Sequence, residues 1–137
     1  MWWTFALLSA LFAALTAIFA KVGIKGVDTD LATAIRTVVI LIIAWGIALF
    51  RGGAFTMHTL TKQNILFLCL SGVATGLSWI FYFKALQLGK VSQVAPVDKM
   101  SVAIAIVLSV IFLGEPLDAK TIVGALLIIG GTLVLIS

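Results

Sequence analysis

Five apolar runs, each about twenty residues long, constrain this chain more than any other feature. They cover about Trp2–Ala20, Leu31–Phe50, Asn64–Phe83, Val91–Leu113 and Thr121–Ile136. At 1.5 Å of rise per residue, an apolar helix of ~20 residues crosses the ~30 Å hydrocarbon layer of a bilayer. The runs are apolar on every face. They therefore read as buried or lipid-facing helices and not as the ~10-residue alternating strands of a membrane barrel. Of the 137 residues, 63% are hydrophobic and only 10% charged, too few charges to cover a soluble domain of this size. The expected class is an all-α integral membrane protein with one transmembrane domain, residues 1–137.

The links between runs are short and hold most of the charge. They span Lys21 to Asp30, Arg51 to Gln63, Lys84 to Lys90 and Gly114 to Lys120, and none could form a soluble domain. The first run has no basic residue before it and outlasts a signal-peptide core, so it reads as a retained helix. Asp28 and Asp30 are placed to cap the second helix. An odd number of spans puts the two ends on opposite sides. The N-terminal side receives Arg51, Lys62 and Lys120; the other receives Lys21, Lys25, Lys84 and Lys90, with Arg36 shallow on that side. This is a small bias for fixing orientation. Two readings stand on charge alone: a fixed orientation, or insertion both ways. The excess of Lys and Arg belongs to the membrane interface and not to nucleic acid. The lone Cys69 excludes an internal disulfide.

Polar residues inside the runs are the candidate functional ones. The fourth run carries Pro96, Asp98 and Lys99 in its first half. A charge in hydrocarbon costs at least ~2.5–3.5 kcal/mol on insertion scales, so such residues point to a path for a polar solute. Ser92, Pro96, Lys99 and Ala103 share a helix face, with Asp98 and Ser101 beside it. Pro96 reads either as a kink that frees the Ser92 carbonyl or as a harmless first-turn proline. Arg36 and Asp98 lie at similar depth from one side, with an axial offset of roughly 3–5 Å. An Arg36–Asp98 pair would leave Lys99 as the excess cation for an anionic or zwitterionic solute; alternatively Lys99 snorkels to the headgroups.

The third run has two stripes at i, i+4, i+7, i+11. Gly72, Gly76, Trp79 and Phe83 form one, and Ser71, Thr75, Ser78 and Tyr82 the other. The first reads as close helix approach through Gly72 and Gly76, its aromatic half either walling a cavity or belonging to plain packing and an interfacial aromatic belt. The hydroxyl stripe faces a wet cavity or another helix, or bonds back to its own carbonyls. Gly124, Gly130 and Gly131, followed by Thr132, make the fifth run a packing helix. His58 lies in a loop. Neither an enzyme motif nor a metal-ligand cluster is present, and no cofactor or metal is expected.

Phe81 to Gly89 (with Tyr82, Ala85 and Leu86), then Val94-Ala95-Pro96, then Phe112 to Pro116, then Gly124-Ala125 and Gly130-Gly131 follow one another in a specific order. Arg36, early in the second helix, fits the same pattern. The whole chain resembles the EamA-type repeat of the drug/metabolite transporter superfamily. The resemblance implies ten helices built from two five-helix repeats in inverted orientation, a midplane substrate site and alternating access. This chain holds one repeat, so the resemblance together with the weak charge bias implies an antiparallel homodimer. Relatives often carry a second proline in helix four; Met100 to Val110 has none and should run straighter.

The implied function is transport or export of small polar metabolites, amino-acid-like or drug-like, in a bacterial cell membrane. The path would be lined by Arg36, Ser71, Thr75, Ser78, Trp79, Tyr82, Pro96, Asp98, Lys99 and Ser101. The alternatives are an accessory or heterodimer subunit, and a flippase for lipid-linked substrates.

Overall fold

The computed structural model describes residues 1–137, and every regular element is helical. The helices are α1 (Trp2–Gly23), α2 (Thr29–Phe50), α3 (Lys62–Leu88), α4 (Val91–Lys99), α5 (Ser101–Phe112) and α6 (Ala119–Ile136). A 3-10 helix, Gly53–Thr59, lies between α2 and α3. With α4 and α5 taken as one broken span, five segments are long and apolar enough to cross a membrane.

Observed ends differ from expectation by a turn or so, most at α3. That helix begins at Lys62 and runs five residues past Phe83, through Lys84, Gln87 and Leu88. A search for apolar character stops at the lysine. The helix does not, because Lys and Gln are good helix formers whose stems lie along apolar surface. The second link, expected as irregular chain, contains the 3-10 turn. It is set off by Gly52 in the left-handed region (φ 78°) and folds back on the end of α2.

The chain forms two compact units. One comprises residues 20–87, the end of α1 with α2, the 3-10 turn and α3; the other comprises residues 1–19 and 88–137. In the first unit, Phe83 and Leu86 are fully buried, together with Ile24, Thr29 and Thr33. Three polar side-chain contacts close that end. The Lys21 ammonium donates to the Leu86 carbonyl near the C-terminus of α3. The Gln87 amide donates to the carbonyls of Ile24 and Val27, at 3.3 and 2.9 Å. A cation on the last carbonyls of a helix also meets the negative end of its dipole. In the second unit, α6 packs on both α4 and α5. Large apolar side chains are exposed along every span, the surface expected of helices that meet lipid or other helices.

Three helix starts carry side-chain caps, the one at Asp28 as the acidic link residues before the second helix suggest. Asp28 accepts from the Leu31 amide at 3.2 Å at the head of α2. The Thr61 hydroxyl accepts from the Asn64 amide at 3.2 Å at the head of α3. Asp118 caps α6, accepting from both the amide and the hydroxyl of Thr121. At the tail of α5, Gly114 turns the chain with φ 68°, a conformation that costs a residue with a Cβ ~1–2 kcal/mol.

The Thr121 hydroxyl, and then its amide, hold the Asp118 carboxyl below the usual carboxylate range. A depressed carboxylate contributes stability above the pKa of the unfolded chain and loses it as pH falls through the folded value. The gap in unfolding midpoint between the parent and Asp118→Ala in detergent should therefore be wide at neutral pH. It should close as pH drops below the ordinary carboxylate range.

Candidate functional site: charged and hydroxyl groups at membrane depth

The break between α4 and α5 follows from one missing donor. Pro96 is the sixth residue of α4, not a first-turn proline, and has no N–H to offer the Ser92 carbonyl. The expected distortion is displaced by a turn and falls at Met100. The Met100 amide bonds to the Val97 carbonyl at 3.0 Å, an i−3 step, rather than to Pro96. That tightening leaves the Pro96 carbonyl without a helical donor. The Thr132 hydroxyl supplies one across the unit, at 3.2 Å, while also donating to Ile128 in its own helix at 2.8 Å. Thr132 is only 4% exposed, so this hydroxyl is enclosed and its donation matters. The rest of the span, Ser101–Phe112, is one uninterrupted helix, as the absence of further prolines implies.

Asp98 and Lys99 end α4 at this break. Their only ion-pair contact is with each other, at 3.7 Å between Lys99 Nζ and Asp98 Oδ2. Adjacent residues do not face one another on a helix, which accounts for the long separation. The Lys99 side chain is 59% exposed and that of Asp98 33%, so both retain access to another partner. Ser101 lies exposed at the head of α5. The half-helix of α4 places the charged pair about 10–12 Å along from Val91, at 1.5 Å per residue.

In the other unit, Arg36 lies against the aromatic half of the α3 stripe. Its guanidinium carbon is 4.6 Å from the centre of the Phe83 ring and 4.9 Å from that of Trp79. Cation–π contacts of this kind are worth ~0.5–2 kcal/mol, more as water is excluded. The Tyr82 ring is 6.0 Å from that of Phe83, tilted by 45°. The sequence pairs Arg36 with a carboxylate, whereas the contacts it makes are aromatic. Thr132 in α6 was legible only as a packing residue, and Phe83 as part of an aromatic wall. A single threonine in a run of Leu, Ile and Gly, and an aromatic four residues after Trp79, are the signals that bear on them.

Ser71, Thr75 and Ser78 are exposed along α3, and the Thr75 hydroxyl bonds back to the Ser71 carbonyl at 2.8 Å. Gly72, Gly76, Gly124, Gly130 and Gly131 have open space where a Cβ would stand. Within the single chain none of these glycines is required by a close neighbour. A shallow apolar groove lined by Ala44, Trp45, Ala48, Gly53, Ala54 and Met57 comes from the folded-back 3-10 turn and contains no charged group. No set of His, Cys, Asp or Glu is placed to hold a metal ion.

Five apolar spans, with ionisable groups and a proline break inside them, define a multi-pass membrane protein whose polar groups lie at membrane depth. The chain belongs to the EamA-like transporter family, whose model matches residues 1–137. It is a membrane transporter built on a single EamA repeat. It is 47% identical over 134 residues to an uncharacterized transporter in the cobO 3′ region of a Sinorhizobium species, covering 98% of this chain and 95% of that one. No solved structure gives a significant match.

The Thr132 contact is testable. Thr132→Val keeps the shape and removes the donor, leaving the Pro96 carbonyl unpaired. The expected loss is ~1–3 kcal/mol of stability in detergent, with Thr132→Ser close to the parent. The Met100 amide should exchange hydrogen faster in the valine variant.

Proposed function

We propose that this chain moves small polar metabolites, amino-acid-like or drug-like, across the bacterial cell membrane by alternating access, as an antiparallel homodimer. The observation that carries the reading is the Asp98–Lys99 pair at the break between α4 and α5. Two charges in mid-span are costly unless they serve a polar solute or an ion. A helix interrupted at membrane depth beside charged groups is the arrangement that transporters use to bind solutes. The α4 half-helix joins α5 through the i−3 step at Met100, and its Pro96 carbonyl is met by the Thr132 hydroxyl of α6.

Antiparallel pairing is supported by three further features. The repeat has an odd number of spans, its Lys and Arg are nearly balanced between the two sides, and its glycine faces have room for another helix. In such a dimer each copy would carry its charged pair toward the opposite membrane surface, giving two equivalent half-sites. Ser71, Thr75 and Ser78 would line the path with hydroxyls, and Ser101 would extend the charged cluster.

The test is solute flux in proteoliposomes. Asp98→Asn and Lys99→Gln should each lower uptake at least tenfold while the protein still inserts and assembles. Unchanged flux in both variants would remove the pair from the path. Flux that appears only when a second five-helix chain is added would replace the homodimer with a heterodimer.

A further inference from the structure

The link between α2 and α3 differs from the others in charge and in shape. The link before α2 carries Asp28 and Asp30, and the link before α6 carries Glu115 and Asp118. From Leu31 to Val97 there is no acidic residue at all, so Arg51 and Lys62 have no carboxylate near them in sequence. Neither is paired in space, since the one ion pair of the chain is Lys99–Asp98. Arg51 closes α2, Lys62 opens α3, and both side chains are exposed. His58 lies exposed between them in the 3-10 helix, and an imidazole has an N–H to donate in either protonation state.

The 3-10 helix lies back against the end of α2 instead of extending away from it. Its hydroxyls are used within the turn: Thr56 donates to the Gly53 carbonyl at 2.7 Å and Thr59 to the Thr56 carbonyl at 2.6 Å. Phe50, Phe55 and Met57 are left exposed beside the cations. The apolar groove between this helix and α2 is walled on one side by Ala44, Trp45 and Ala48 and on the other by Ala54 and Met57. The α2 residues lie two to six positions inside the end of the span, roughly 3–9 Å at 1.5 Å per residue. That is where headgroups give way to acyl chains, and tryptophan is favoured at that level.

The rim is thus cationic where headgroups lie, and the groove is apolar where hydrocarbon begins. One occupant with a negative head and a hydrocarbon tail answers both. An acidic peptide answers the charge alone, and a free phosphate leaves the groove empty. We propose that the α2–α3 link is a binding site for an anionic phospholipid, with an acyl chain in the groove and the headgroup at the rim formed by Arg51, His58 and Lys62. The site needs only the membrane spans and is independent of the solute carried. Each basic residue at an anionic lipid surface is worth roughly fivefold in affinity.

Trp45 walls the groove and serves as the reporter. Trp2, Trp3 and Trp79 are changed to Phe in the full chain, which is then placed in nanodiscs of phosphatidylcholine. A minor fraction of the lipid carries bromine on one acyl chain as a quencher. Brominated phosphatidylglycerol should reach half-maximal quenching of Trp45 at an at least fivefold lower fraction than brominated phosphatidylcholine. Arg51→Gln combined with Lys62→Gln should bring the two lipids to parity while the helical circular dichroism is retained. Lys84→Gln combined with Lys90→Gln, at the opposite membrane surface, should leave the preference unchanged.

Equal quenching by the two lipids in the parent would overturn the proposal, as would a phosphatidylglycerol preference that survives the loss of Arg51 and Lys62. So would loss of the preference on adding inorganic phosphate, which would make the rim a site for a free anion. Quenching by neither lipid would mean that a second copy of the chain covers the groove, and would overturn it as well.

Discussion

The structure depends on one constraint: a backbone carbonyl or amide inside a bilayer has no water to turn to. Several departures from regular helix in this chain are matched by a donor or acceptor that answers them. Pro96 removes one donor, the chain tightens at Met100, and the carbonyl thereby released is met by Thr132. At the other unit's closed end, the ammonium of Lys21 and the amide of Gln87 meet carbonyls of α3 and of the loop after α1. Asp28, Thr61 and Asp118 satisfy amides at helix starts. In lipid an apolar side chain loses little by remaining outside the fold.

The same constraint gives the charged residues their meaning. Asp98 and Lys99 are paired with each other at a separation that leaves both open, and Arg36 lies against the rings of Trp79 and Phe83. A protein built only to span a membrane would have apolar residues at these positions at lower cost. Charges that keep access to a further partner, as Asp98 and Lys99 do, are what a site for a polar passenger requires.

The spans and their class were legible in the sequence because length and hydrophobicity alone decide them. The caps at Asp28 and Asp118 rest on acidic residues just before apolar runs; the first is readable directly, the second only once the helix start is known. The position of the break was not legible. A proline announces a defect, but where the chain yields depends on which neighbour can supply a hydrogen bond, and Thr132 is thirty-six residues away. Arg36 was legible as an important residue and not by its contacts. Depth arithmetic ranks partners by height along the membrane normal and carries no information about direction around the helix, which is what brings Arg36 to Trp79 and Phe83. The run of α3 past Lys84 was missed for a related reason, since hydropathy ends a helix where charge begins and helix propensity does not.

The claim on which the account stands is that the open faces of one repeat are completed by an inverted second copy. The most direct measurement is the location of the C-terminus after Ser137, read with paired reporters each active on only one side of the membrane. The account predicts signal from both reporters in comparable amounts. Signal from one reporter alone would mean a single fixed orientation, and would contradict the antiparallel homodimer.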